Sequence, residues 1–250
     1  MVAIDGKTVR GSRQAGQHAI HLVSAYGCGL GLVLGQVRTA DKSNEVTAIP
    51  ELLDALLLKG AIVTIGAMGC QRSIAERIVA DGADYVLAVK ENPSALLARV
   101  RKAIDAMENQ LEFYADFRSE HCEIDKDHGH LETRRRIVTD ILSRWGHEPD
   151  LWPGMRSVVM VEAKREIGET TSVARRYYVT SLAPDAARIA NAVRSHWRIE
   201  NPMHWVLDME FGEDQCRARV ENAAQNFIIL QRSVLKLAKS DATTKAGLKN

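Results

Sequence analysis

What constrains this chain most is a change of hydrophobic period. HAIHLVSAYG (18–27) alternates, and LGLVLGQVRT (30–39) is apolar and β-branched. The two meet through Gly27 and Gly29, the pattern of a β-hairpin. From there the period lengthens. SNEVTAIPELLDALLL (43–58) reads as helical, at least from Pro50 onwards, with proline and Glu51 suited to a first turn and leucines at helical spacing. Gly60 stops it and AIVTI follows as a strand. CQRSIAERIVADGA is an amphipathic helix ending near Gly82, and DYVLAVK (84–90) is another strand. With VAID at the start, the order is β-β-β-α-β-α-β, which predicts a mixed sheet flanked by helices.

Residues 94–108 read as helical. From about 112 to 180 the stretches EFYADF, TRRRIVTDIL, RSVVMVEAKREI and ARRYYVTSL are strand-like between polar loops, a β-rich insertion. Helical periodicity returns in DAARIANAVRSHWRIE and again in ENAAQNFIILQRSVLKLAK. GCGLG has the glycines of a dinucleotide loop but lies between two strand patterns and opens no helix, so it reads as the hairpin turn. A 46% hydrophobic, 26% charged chain is globular rather than disordered. A net charge of +1 neither demands nor excludes a polyanionic partner. No apolar run reaches the roughly 18 residues of a membrane span. With no signal-peptide layout either, a cytoplasmic location is expected. Cys28, Cys70, Cys122 and Cys216 are scattered, which predicts reduced thiols. CEIDKDHGH reads as a polar loop rather than a metal site.

Three positions would converge if the sheet connects in the usual right-handed way. Asp5 lies on the first strand, position 66 ends the strand expected beside it, and Glu200 lies on the late helix in HWRIENPMHW. An Asp and a Glu held together can share magnesium, a hard cation that takes oxygen ligands. Two such ions activate a water or a 3′-hydroxyl and stabilise the leaving oxygen in phosphodiester chemistry. Residue types alone leave the plainer reading open, since an Asp in DGK is commonly a turn residue and a helical Glu is commonly solvated. The end of an open α/β strand often delivers a charged side chain to a crevice. In AIVTIGAMGC that position carries Gly66.

The wording of the sequence goes further. AIDGKTVRGS, KSNEVTAIPELLDALLLKGAIVTI, DYVLAVK, DHGHLETRRR and RSHWRIENPMHWVLDMEFGEDQCRAR occur in collinear order over nearly the whole chain. Together they resemble the DDE transposases of bacterial insertion sequences, in the branch containing the H-repeat-associated proteins. The resemblance implies an α/β, ribonuclease-H-like fold: a mixed five-stranded sheet flanked by helices, with a β-rich insertion before the last core helix. Residues 1–110 would form the first part of the core, 111–182 the insertion, and 183–250 the completion with the catalytic-Glu helix and a C-terminal helix. It implies Asp5 and Glu200 as catalytic residues and metal ligands for Mg2+, with Mn2+ as a substitute. It also implies insertion-sequence ends as the DNA partner, and a homodimer or a mixed complex with an intact relative.

The family's second aspartate stands in TIDAMGCQ, whereas this chain has TIGAMGCQ, so Gly66 takes its place. Asp81 and Asp84 are expected on the far side of the intervening helix. The missing ligand predicts a chain inactive or nearly so in strand cleavage and joining, unless a neighbouring carboxylate or water substitutes. Pro202 either kinks the Glu200 helix or, after Asn201, opens a new one. Members of the branch carry a segment before AIDGK, which implies an N-terminally truncated copy. Lys7, Arg10, Arg13, Lys90, Arg194 and Arg198 are candidate phosphate contacts, each with a solvated surface charge as the alternative. TRRRIV (133–138) is a denser cluster or only an exposed strand face. Trp197 and Trp205 are expected in the core, and His196 or His204 would stand near Glu200.

Overall fold

The computed structural model describes residues 1–14, 18–39, 44–90, 94–127, 130–145, 152–220 and 222–240. The chain runs β1 (Val2–Val9), β2 (Ile20–Gly27), β3 (Leu32–Arg38), α1 (Glu45–Asp54), β4 (Ile62–Ile65), α2 (Arg72–Ala80), β5 (Asp84–Val89), α3 (Ser94–Asn109), β6 (Arg118–Asp127), β7 (His130–Thr139), α4 (Ile141–Trp145), β8 (Ser157–Ile167), β9 (Thr170–Thr180), α5 (Ala186–Ile199), a π-helical turn (Glu200–Trp205), α6 (Val206–Met209) and α7 (Ala223–Ser240). It divides into two compact units, Met1–Leu57 with Arg194–Asn250, and Leu58–Val193.

The first unit holds the predicted hairpin. β2 pairs antiparallel with β1, Asp5 facing Ser24, and with β3 through a register shift at Ala25 and Tyr26. Ala3, Tyr26 and Cys28 bury against Ile199, Met203, Leu207 and Leu235, while Val9, Ile20 and Leu22 pack on Ile228. These clusters clamp β1 against the π-helical turn, α6 and α7. Helix α1 begins earlier than Pro50 suggests: Asn44 caps it by accepting from the Val46 amide at 3.1 Å, and Glu45 stands in its first turn. Pro50 therefore lies inside the helix, where its missing N–H costs one backbone bond. Burial of Ala48, Ile49, Leu52 and Leu53 offsets that loss.

In the second unit β4 and β5 are parallel, joined through α2, and β5 pairs antiparallel with β9, followed by β8, β7 and β6. The strands of the predicted insertion thus continue this sheet from β5, and the described residues carry nine strands rather than five. The physical reason lies in β8 and β9. Ser157–Val161 and Tyr177–Thr180 are buried and join the sheet core, while the remaining residues of both strands are mostly polar and mostly exposed. Two further expectations change. EFYADF forms turns and a short 3-10 helix at Ala115–Phe117. Cys122–Asp127 of the expected polar loop belong to β6. That strand reads as a loop because its charges pair across the ladder instead of alternating with apolar residues. His128 and Gly129 of the expected loop lie outside the described residues.

Candidate active site

Asp5 stands in the middle of β1, not in a turn. Its neighbours Ala3 and Ile4 are fully buried, and its own side chain is 25% exposed. Burial raises its carboxyl most, and the negative charges of Glu45 and Glu200 add to it. The Gly6 amide and His21 oppose the rise, leaving the group pushed up to about 7. Glu45 is held by His21, whose Nε2 lies 3.0 Å from its Oε1 and whose Nδ1 lies 2.7 Å from Thr8 Oγ1. The glycine of DGK now has a reason. A Cβ at Gly6 would stand 2.0 Å from Glu45 Oε1 and 2.6 Å from His21 Nε2.

Glu200 opens the π-helical turn, partly exposed, while Ile199, Met203 and Leu207 bury the opposite side of this helical run. Pro202 neither breaks the run nor caps a new helix. The chain passes through it with the wider i→i+5 pattern, which absorbs a missing backbone donor. His204 Nδ1 lies 3.6 Å from Asp5 Oδ2. Burial pushes the His204 imidazole down to about 3, and the charges of Lys7, Arg232 and His196 act in the same direction. The ring is therefore neutral at physiological pH, and its approach to Asp5 is not an ion pair. Its Nε2 is buried without a hydrogen-bond partner among the described residues.

Lys7 departs from its predicted place on a DNA-facing surface. It is 9% exposed, and its ammonium donates to both oxygens of Asp208 at 2.7 Å. Glu213 Oε2 and Asp214 Oδ1 each stand 3.8 Å away. Glu213, fully buried, accepts from Arg232 Nη1 at 2.5 Å. Arg10, Arg13, Arg194 and Arg198 are exposed in the same unit, Arg198 donating to the Cys28 carbonyl at 3.3 Å. Lys90 is exposed in the other unit. The arginines of TRRRIV are engaged: Arg134 by Asp125 and Glu132, Arg135 by Glu120 and Glu108, Arg136 by Glu123. Trp197 and Trp205 are 39% and 56% exposed, against the expectation of core packing, because Ile199, Met203 and Leu207 take the buried stripe.

Gly66 lies in the other unit, just after β4. Its φ of −63° and ψ of 173° suit any residue, and nothing among the described residues lies within 4 Å of where its Cβ would be. The backbone there does not ask for glycine. Asp81 pairs with Arg77 at 3.0 Å and Asp84 accepts from Ser181 at 2.8 Å, so both are committed within their own unit.

Asp5 and Glu200 offer hard oxygen donors whose mutual repulsion a cation would relieve. Among the described residues no group of three or more His, Cys, Asp or Glu side chains is placed to hold a metal ion. Two carboxylates fit a magnesium ion that keeps several waters and takes further oxygens from a bound phosphate. The residues missed by sequence reasoning are Glu45, His21, Asp208, Glu213 and Arg232. Glu45 beside the Asn44 cap carried a helix-start signal, but nothing pointed it at Asp5. Among the described residues no helix is long and apolar enough to cross a membrane.

The chain matches the family described as "Transposase DDE domain" over residues 1–235. "Putative transposase YncI" of Escherichia coli O157:H7 is 38% identical over 255 residues, covering 100% of this chain and 64% of its own length. "H repeat-associated putative transposase YhhI" of Escherichia coli K12 is 37% identical over 259 residues, covering 100% and 66%. This chain thus spans just under two thirds of the length of these relatives. A solved structure, the piggyBac transposase in its synaptic complex with hairpin DNA, aligns with 99% of this chain and 55% of its own. Its identity of 9% and TM-score of 0.42 are too low to bear on the fold.

Proposed function

The chain belongs to the DDE transposase family, and from that premise we propose that it descends from a DNA strand-transferase acting at insertion-sequence ends and that Gly66 disables it. In this reading the core is ribonuclease-H-like and the protein works in the cytoplasm. Asp5 and Glu200 are the surviving catalytic carboxylates and would hold Mg2+ or Mn2+. The metal, when bound, supplies activation of a water or 3′-hydroxyl and stabilisation of the leaving oxygen.

The chain's own residues set the rest. The β1 ladder and the buried stripe Ile199, Met203, Leu207 hold the two carboxylates on rigid elements. Neutral His204 adds a buried imidazole beside Asp5 without a competing positive charge. Exposed Arg10, Arg13, Lys90, Arg194 and Arg198 are the candidate phosphate contacts, which position DNA without reading its sequence.

The observation that carries the proposal is the freedom at Gly66. An ordinary φ and open space at Cβ fit a position built for a side chain and emptied of it. With one donor gone, losses of several orders of magnitude in cleavage are expected. The test is Mg2+- or Mn2+-dependent nicking of a duplex carrying the cognate element ends. It compares the chain as it stands, Gly66→Asp, and Gly66→Asp with Glu200→Ala. Activity only in Gly66→Asp, lost again without Glu200, is the expected result. Nicking by the unaltered chain overturns the missing-ligand argument.

The same vacancy favours a second reading, a non-catalytic remnant that binds DNA or joins an intact relative in a mixed complex. DNA binding that weakens steeply with salt, with no nicking even by Gly66→Asp, would select it.

A further inference from the structure

Asp5 and Glu200 sit on a strand and a helix separated by almost the whole chain, so something must set the distance between them. Residues two apart on a strand point to the same face, which places Lys7 beside Asp5. Eight residues along a regular α-helix would leave Asp208 about 80° around from Glu200. The wider π-helical turn between them swings Asp208 back towards Glu200's face. The result is a direct bridge from the Asp5 strand to the Glu200 helix, with Lys7 Nζ donating to both Asp208 oxygens at 2.7 Å.

The bridge is anchored on both sides. The Arg10 amide donates to Asp214 Oδ1 at 3.0 Å, and Arg232 closes on Glu213, tying α7 and the 213–215 turn to the same ammonium. At 9% exposure Lys7 is withheld from solvent, and its shortest contacts go to the two Asp208 oxygens. An ammonium held this way ties the two elements together.

We propose that Lys7 and Asp208 form a positioning pair that sets the separation of Asp5 and Glu200 and so the affinity of the site for a divalent cation. The proposal rests on reading Asp5 and Glu200 as metal ligands. Partners hydrogen-bonded directly to metal ligands typically contribute about 10–100-fold to metal affinity, and this bridge, one step removed, is expected at the lower end. Two variants test it: Lys7→Gln, and the paired Lys7→Met with Asp208→Leu, which removes both charges so that neither is left buried alone.

Two readouts are taken, Mn2+ affinity by calorimetry and the Asp5-to-Glu200 carboxylate separation in crystal structures of the metal-free proteins. The expected result is a Mn2+ Kd raised at least about 10-fold and a separation changed from wild type, with melting temperature retained in the paired variant. A folded paired variant with unchanged separation overturns the proposal and makes the bridge a fold element only. Should the wild-type chain itself bind no Mn2+, the metal reading of Asp5 and Glu200 fails, and the separation still decides the bridge.

Discussion

Replacing Asp5 by Asn should stabilise this protein, and by an amount that depends on pH. The carboxyl is displaced from 3.8 to about 7, so the folded chain holds a proton that the unfolded chain releases. Between those values the folded state binds more protons than the unfolded one, and stability falls as pH rises. Three pKa units correspond to about 4 kcal/mol, fully felt above pH ~7 and absent below pH ~4. The side chain is only 25% exposed, so solvent screening removes a modest part, leaving about 3 kcal/mol. At roughly 2–4 °C per kcal/mol for a chain of this size, Asp5→Asn should melt roughly 6–12 °C higher at pH 8 in chelator. At pH 4 the two proteins should melt together. The assay is a series of calorimetric melts of both proteins across pH 4–8, repeated with Mn2+. Added Mn2+ should close the gap at pH 8 by stabilising only the carboxylate form. A gap independent of pH would refute the reasoning, because it would mean that burial and the Glu45 and Glu200 charges do not act on Asp5.

Gly6→Ala should cost about 1–3 kcal/mol by driving the Glu45 carboxylate off His21 and leaving a partly buried acceptor unpaired, read as a lowered urea midpoint with unchanged slope. Arg232→Met should cost about 3–5 kcal/mol because it strands the Glu213 carboxylate, whereas Arg232→Met with Glu213→Leu should recover most of that loss. Equal destabilisation by the single and paired variants would count against the buried pair.

The order of elements up to β5 follows from the sequence alone, because the hairpin glycines, the strand patterns and the helix periods are local signals. The proposal for Gly66 likewise starts from a local signal, the motif around it, and the structure adds only that nothing in the backbone requires glycine there. Side-chain partners distant in the chain were not legible. Lys7 reads as one more exposed cation after a strand, and its acceptor lies 201 residues away. Nor does periodicity decide between two apolar stripes of one helix. Trp197 and Trp205 are as suited to burial as Ile199, Met203 and Leu207, and only the shape of the surface they meet turns the latter inward. β6 failed as a strand prediction for a related reason: its stabilisation comes from cross-strand charge pairs that exist only once β7 lies beside it. The sequence by itself determined the order of strands and helices through β5 and placed glycine where the resemblance expects an aspartate. Tertiary structure decided which charges are buried and which face each helix turns to the core, because burial and pairing depend on neighbours that the chain brings together only by folding.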